Sequence, residues 1–477
     1  MKSRRAFIRQ VALASIGASI APNGLFAGVE YNNFESQRPK LQDRKFTSAV
    51  IDAKIESVQS MIKDKELAWL FENCFPNTLD TTVRFTVDNG IPDTFVITGD
   101  IDAMWLRDSS AQVFPYLPFC RADQKLSQLI EGVIRRQTKC ILIDPYANAF
   151  NREATGSDWK SDHTKMLPEL HERKWEIDSL CYPIRLAYHY WKMTGVTTAF
   201  DPNWKKSIEL TYQTFVEQQR KVDRGPYSFM RTTQWQSDTV AGAGYGAPAK
   251  PVGLIVSIFR PSDDATNLPY LIPSNIFAIT SLRQAAEILT AIKDDSDLSQ
   301  RCLALAAEVE RAVLTHGILK HPKYGQIYAY EVDGFGNSYC MDDANVPSLL
   351  ALPYLNPIPA ADLTYFNTRK MIWSVDNPYF FKGTVAEGIG GPHVGADYIW
   401  PMSLIMRALT STMDSEIIQS LQTLKRTHAG TGFMHESFHK NDANKYTRKW
   451  FAWANTLFGE LILKLAKEKP YLLQQNF

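Results

Sequence analysis

Hydrophobic positions recur along this chain with the period of a helix. Leu126, Leu129, Ile130, Val133 and Ile134 fall at i, i+3, i+4, i+7 and i+8, which is one apolar stripe on a helix. Ile208, Tyr212 and Phe215 repeat the spacing, as do Leu305, Val309 and Val313. The same periodicity predicts helices over about 50–72, 179–194, 274–292, 398–410, 414–426 and 452–467. Alternation with period two is scarce, and 82–87 and 326–332 are the best short strands. Long loops rich in aromatic residues and glycine separate the helices, at about 91–108, 144–178, 224–266, 334–347, 373–397 and 427–450. This is no βαβ pattern. It predicts an all-α fold, a closed ring of helix pairs whose long loops build a site at one end. Loops of this length are normally functional, and their content supports that reading.

The N-terminus reads differently from the rest. Lys2, Arg4, Arg5 and Arg9 surround and precede an apolar run at 11–20 that is too short to span a bilayer with margin. Ser3-Arg4-Arg5-Ala6-Phe7-Ile8 resembles a twin-arginine export signal, and Ala27 supplies a small residue for cleavage. An ordinary secretory signal with a chance arginine pair is the alternative. Residues 1–27 are therefore expected to be a signal peptide, with the mature protein in the bacterial periplasm and no stable membrane insertion after its removal. Residues 28–45 are polar and unpatterned and are expected to be a tether. No linker or low-complexity tract follows, so 46–477 is expected to form a single catalytic domain.

Charge and composition narrow the chemistry. The full chain has 52 basic and 51 acidic residues and a formal charge of +1. Removing the four positive charges of the signal takes this to −3, which leaves no basic footprint for nucleic acid. Eleven Trp, 20 Tyr and 25 Phe suit a core, and also a pocket that stacks sugar rings. The six cysteines, Cys74, Cys120, Cys140, Cys181, Cys302 and Cys340, show no C-x-x-C spacing, so neither zinc nor redox chemistry is suggested. Most are expected to be buried as small hydrophobes, with one or two disulfides compatible with export.

The loops concentrate groups that suit sugar hydroxyls. Residues 99–109 bring Asp102, Trp105, Arg107 and Asp108 together: a rigid donor fork, carboxylate acceptors and a stacking face. A buried Arg–Asp pair tying two helices is the structural alternative. Lys174-Trp175-Glu176-Ile177-Asp178-Ser179 is a second cluster, in which Asp178 or Ser179 also serves as a helix cap. Arg260-Pro261-Ser262-Asp263-Asp264 is a third, and paired carboxyls favour a retained proton, as a general acid requires. Met341-Asp342-Asp343-Ala344-Asn345 competes for the same role. His435-Glu436-Ser437-Phe438-His439 matches the zinc pattern H-E-x-x-H, which would make the chain a metallopeptidase. Gly430 and Gly432 before it, and Asn441, Asp442 and Asn444 after it, leave little room for the helix such a site needs. His393, in a Gly-Pro-His-Val-Gly loop, is a sugar-binding or purely structural histidine.

Several motifs occur in a recognisable order: GDIDAMWLRDSS at 99–110, RPSDDAT at 260–266, MDDANVPSLL at 341–350, GPHVGADYIWPMSL at 391–404 and GFMHESF at 432–438. In these, from about residue 45 onward, the chain resembles glycoside hydrolase family 125. The Trp-Leu-Arg-Asp stretch is also similar to one in the glucoamylases. The resemblance implies an (α/α)6 barrel, exo-acting hydrolysis of α-1,6-linked mannose with inversion, and no metal or other cofactor. It implies Asp263 as general acid and Glu436 as general base, although residue type alone does not choose between Asp263 and Asp264. Trp105, Arg107 and Asp108 would line the terminal mannose subsite, with Asp102, Trp175, Glu176, Arg260, Asp343, Asn345, His393 and His435 as further site candidates. The partner would be an α-mannoside oligosaccharide or N-glycan. Another glycosidase or a phosphorylase on the same barrel, or a glycan-binding protein without activity, are the neighbouring alternatives.

Overall fold

A computed structural model describes residues 34–293 and 296–477. The export signal expected over 1–27, and residues 28–33 of the tether, lie outside the described residues. The rest of the expected tether is docked rather than loose. Arg38 donates to Asp80 at 2.8 Å and to Asp52 at 2.9 Å, and the Trp69 indole donates to the Glu35 carbonyl at 2.6 Å.

The fold is α-helical. Leu106–Val113 packs on Ile177–Thr194, which packs on Ile272–Ala291, which touches the short Leu352–Leu355. Pro401–Leu409 packs on Ala452–Glu468, and Ala452–Glu468 returns to Leu106–Val113. A second set lies outside these: Gln124–Ile143 against Pro202–Gln218, Ser296–His316 against Ile272–Ala291, and Asp414–Arg426 against Pro401–Leu409. The outer helices carry the stripes seen in the sequence; Leu126, Leu129, Ile130, Val133 and Ile134 are all buried. The helices they cover are buried more nearly all round, as a helix enclosed by others must be. All eight residues of Leu106–Val113 are buried. Where helices meet closely, side chains shrink: a Cβ on Gly459 would come within 2.8 Å of the Phe75 ring.

The structure corrects some element boundaries. The helix expected over 50–72 is two, Ala49–Gln59 and Lys65–Cys74, because Asp64 caps a new N-terminus by accepting from the Glu66 and Leu67 amides. The helix expected from 398 begins at Pro401, since Tyr398–Ile399 is extended and pairs with Phe438–His439. Asn89 and Gly90 turn the chain with positive φ of 51° and 79°, joining Val83–Asp88, where a strand is expected over 82–87, to Ile91–Val96, which reads as loop, in a hairpin. The loops at 144–178, 334–347, 373–397 and 427–450 are pinned by strands of two to five residues, and 224–266 by isolated bridges. Met104–Trp105 pairs with Ala149–Phe150, which pairs with Leu170–Glu172. None of the six cysteines is in a disulfide, and five are buried. Among the described residues, no helix is long and apolar enough to cross a membrane.

Candidate active site

A cavity of about 370 Å³ opens among the inter-helix loops. Asp100, Asp102, Trp105, Trp159, His171, Glu172, Lys174, Arg231, Asp238, Asp263 and His393 are among the residues that line it. The small sheet of 104–105, 149–150 and 170–172 explains much of this convergence. It sets Trp105 opposite Ala149 and Ala149 opposite Glu172, and the Leu106 amide donates to the Asn148 carbonyl at 3.0 Å. The Trp105 ring meets His171 edge to face at 5.3 Å.

Beneath this wall lies a buried charge cluster built on Arg107. Its guanidinium reaches Glu176 at 2.5 Å, Asp263 at 3.0 Å, and Asp108 and Asp178 at 3.4 Å each. One buried cation thus faces four carboxyls, of which Asp263 also lines the cavity. Burial drives the Glu176 carboxyl well above its usual range, and Asp263 adds to the effect against the pull of Arg107. Burial likewise pushes Asp178 up to about 6, with Arg107 opposing. Asn148 joins the cluster through its amide, at 3.2 Å from Glu172, 3.4 Å from Glu176 and 3.3 Å from Asp263.

The 260–264 turn separates the two adjacent aspartates. The Asp263 amide donates to the Arg260 carbonyl at 2.9 Å, and the Arg260 amide donates to the Asp264 carbonyl at 2.8 Å. Asp263 takes a left-handed backbone, φ 64°, which is uncommon outside glycine. The result puts Asp263 on the cavity wall, while the Asp264 carboxylate lies 3.5 Å from His393 Nδ1.

Glu436 is fully buried and does not line the cavity. It accepts from the Thr447 hydroxyl at 3.0 Å and from Arg448 at 3.4 Å. Arg448 in turn pairs with Asp100, which is on the cavity wall. The H-E-x-x-H segment is not helical; Phe438–His439 is a strand. His435 Nδ1 donates to the Lys449 carbonyl at 2.8 Å, and its ring stacks on Tyr446 at 3.9 Å. Burial lowers His435 to about 4, so it is neutral at pH 7. The helical face that a zinc peptidase needs is therefore missing, and among the described residues no group of three or more His, Cys, Asp or Glu could hold a metal ion.

Of the residues singled out in the sequence, Asp102, Trp105, Lys174, Asp263 and His393 reach the cavity. Arg107, Asp108 and Glu176 stand behind it, holding one another rather than its surface. Trp175 does not reach the cavity: it is fully buried in the core, its indole donating to the Val256 carbonyl at 2.7 Å, with Tyr146 and Phe215 against its ring. Arg260 does not reach it either: it is buried against Glu331 at 2.6 Å, and Glu331 also accepts from the Asn267 and Leu268 amides, so the pair anchors the turn. Asp343 accepts from the Asn345 amide and side chain, and both are buried away from the cavity. His435 is structural in the same sense. Sequence reasoning missed Asn148, Trp159, His171, Glu172, Arg231 and Asp238. None of them belongs to a local cluster of the kind the sequence shows elsewhere, and only contacts between distant segments gather them.

Comparison with known proteins agrees in family and in fold. Residues 64–463 match the family described as metal-independent alpha-mannosidase (GH125). The chain is 44% identical over 459 residues to the meiotically up-regulated gene 157 protein of Schizosaccharomyces pombe, covering 92% of this chain and 90% of that one. A solved Streptococcus pneumoniae α-mannosidase, described as metal-independent and held in a non-productive complex with α-1,6-mannobiose, is 41% identical. It superposes with a TM-score of 0.86 over 89% of this chain and all of its own. A bacterial glucoamylase bound to acarbose shares the fold alone, with 11% identity and a TM-score of 0.53 over 89% of this chain and 58% of that one.

Proposed function

The chain belongs to the GH125 family of metal-independent α-mannosidases and is a glycoside hydrolase, and on that premise we propose that it is an exo-acting, inverting α-1,6-mannosidase. Its substrate would be an α-mannoside oligosaccharide or N-glycan, as α-1,6-mannobiose is for the S. pneumoniae relative. The packing order of the helices fits an (α/α)6 barrel over 46–477, with the cavity loops at one mouth. The observation that carries the mechanism is the position of Asp263, on the cavity wall yet inside a cluster where carboxyls outnumber the cation.

Asp263 acts as general acid. Four carboxyls around Arg107 cannot all ionise cheaply, so a proton is retained among them. Asp263 is the member that faces the cavity, and it delivers that proton to the departing glycosidic oxygen. Glu436, whose oxygens accept from Thr447 and Arg448, acts as general base and draws a proton from the attacking water. In an inverting pair the carboxyls stand roughly 6.5–9.5 Å apart, leaving room for that water on the opposite face of the ring. Trp105 offers the stacking face, and Asp102 and His393 offer polar contacts to hydroxyls. The twin-arginine-like segment supports export, and we place the mature enzyme in the bacterial periplasm.

Product analysis by NMR on α-1,6-mannobiose tests the reading. Release of mannose as the β-anomer first is expected, and α-anomer first would refute inversion. Asp263→Asn and Glu436→Gln should each lose about 10²–10⁴-fold in kcat while staying folded. Near-normal turnover by either variant removes that residue from its role.

A further inference from the structure

Lys174 lines the cavity, yet it is only 2% exposed and its ammonium has three close acceptors. Nζ donates to Asp238 at 2.8 Å and to the backbone carbonyl of Asp263 at 2.7 Å, and it stands 3.3 Å from Glu172. A lysine ammonium has three N–H donors, and three acceptors use them all. No donor is left for a sugar hydroxyl. The side chain is also buried over the Phe259 ring, at 5.1 Å. Burial pushes its pKa down, but Glu172 and Asp238 outweigh that and hold it above the ordinary value, so the charge persists.

The contact with Asp263 falls where the backbone most needs support. A left-handed residue other than glycine persists only where its surroundings hold it. Lys174 grips the Asp263 peptide from one side, and Asn148 reaches the Asp263 carboxyl from the other at 3.3 Å. The same Asn148 side chain accepts from the Lys174 amide at 3.0 Å, so the two supports are tied together. Lys174 is itself anchored: Glu172 and Asp238 both pair with Arg231, at 2.9 and 3.2 Å, and Arg231 pairs with Asp162 at 2.6 Å.

We propose that Lys174 is the positioning residue of the general acid, holding the Asp263 peptide in its left-handed conformation so that the carboxyl meets the glycosidic oxygen. The proposal rests on Asp263 being the acid. Proton donation matters when the leaving group is a sugar alkoxide and hardly matters when it is a stable phenolate. A misplaced acid therefore damages hydrolysis of the first kind of substrate and spares the second.

The test compares kcat and KM of wild type, Lys174→Met and Asp263→Asn on α-1,6-mannobiose and on a dinitrophenyl α-mannoside, with melting temperatures recorded for each. For Lys174→Met, kcat on mannobiose should fall at least about tenfold, a fraction of the 10²–10⁴ available to acid catalysis. On the aryl mannoside it should fall less than about threefold, with KM for both within about twofold. An equal loss on both substrates, no loss on either, or a loss confined to KM would overturn the role of Lys174. If Asp263→Asn itself shows no dependence on the leaving group, the acid assignment fails instead, and the two failures are distinct. Lys174→Arg keeps the charge but moves the donors. It should show the same selectivity in weaker form, and it serves if the methionine variant does not fold.

Discussion

Asp178→Asn should stabilise this protein at neutral pH and do nothing of the kind in acid. Asp178 is fully buried at the start of Ile177–Thr194. It lies 3.4 Å from Arg107, which Glu176 and Asp263 approach more closely. Among the described residues its Oδ1 has no hydrogen-bond partner. Burial therefore wins, and its pKa goes from the ordinary 3.8 to about 6. A folded pKa above the unfolded one means that the stability it confers is present in full below pH about 4 and is lost as pH rises to about 6. At 1.36 kcal/mol per pH unit, that difference corresponds to about 3 kcal/mol that the wild type forgoes above pH 6. Asparagine has the same shape and no charge, and its amide at the Oδ1 position trades one unpaired atom for another. Urea denaturation of both proteins at pH 4, 6 and 8 reads the effect. The variant should gain on wild type by about 3 kcal/mol between pH 4 and 8. A difference that stays flat, or that runs the other way, would show that Asp178 is not held against burial and that the charge count around Arg107 is wrong.

Other expectations follow from the packing. Trp175→Phe should cost about 2–3 kcal/mol in stability through lost volume and an unpaired Val256 carbonyl, yet leave KM for mannobiose within about twofold; a large rise in KM would return Trp175 to the sugar site. Gly459→Ala should lower the melting temperature through overpacking worth about 1–3 kcal/mol, because the new methyl meets the Phe75 ring; an unchanged melting temperature would mean that the two helices separate freely. Dialysis against a chelator should leave mannosidase activity unchanged, since the H-E-x-x-H segment is not helical; activity that falls and is restored by zinc would revive the peptidase geometry.

Much of the outer layer is legible in the sequence alone. Helices such as Gln124–Ile143, Ser296–His316 and Asp414–Arg426 lie between core and solvent, so their sequences must alternate with the helical period. Leu106–Val113 was not legible as a helix. It is buried on every side and has no stripe to show, and its polar residues are satisfied by distant partners: Arg107 by Glu176, and Ser109 and Ser110 by Gln137. The short strands in the loops were invisible for a related reason. A pairing of two or three residues has no period of its own and exists only where the fold brings its partner.

At the site the division is sharper. Local sequence determined which segments carry clustered carboxyls, guanidinium and aromatic faces, the groups that sugar hydroxyls and proton transfer require, because those clusters are written contiguously at 99–109, 174–179 and 260–264. It also determined the family, through ordered motifs that residues 64–463 match. Tertiary structure alone decided which member of each cluster faces the cavity. Trp105 and Trp175 are the same side chain beside similar neighbours, and one lines the cavity while the other fills the core. Asp263 and Asp264 are adjacent and chemically identical. A left-handed turn, held by the Arg260 backbone and by the ammonium of Lys174, sends one to the cavity and the other to His393. Such choices are made by contacts between residues about 90 positions apart, and no local pattern encodes them.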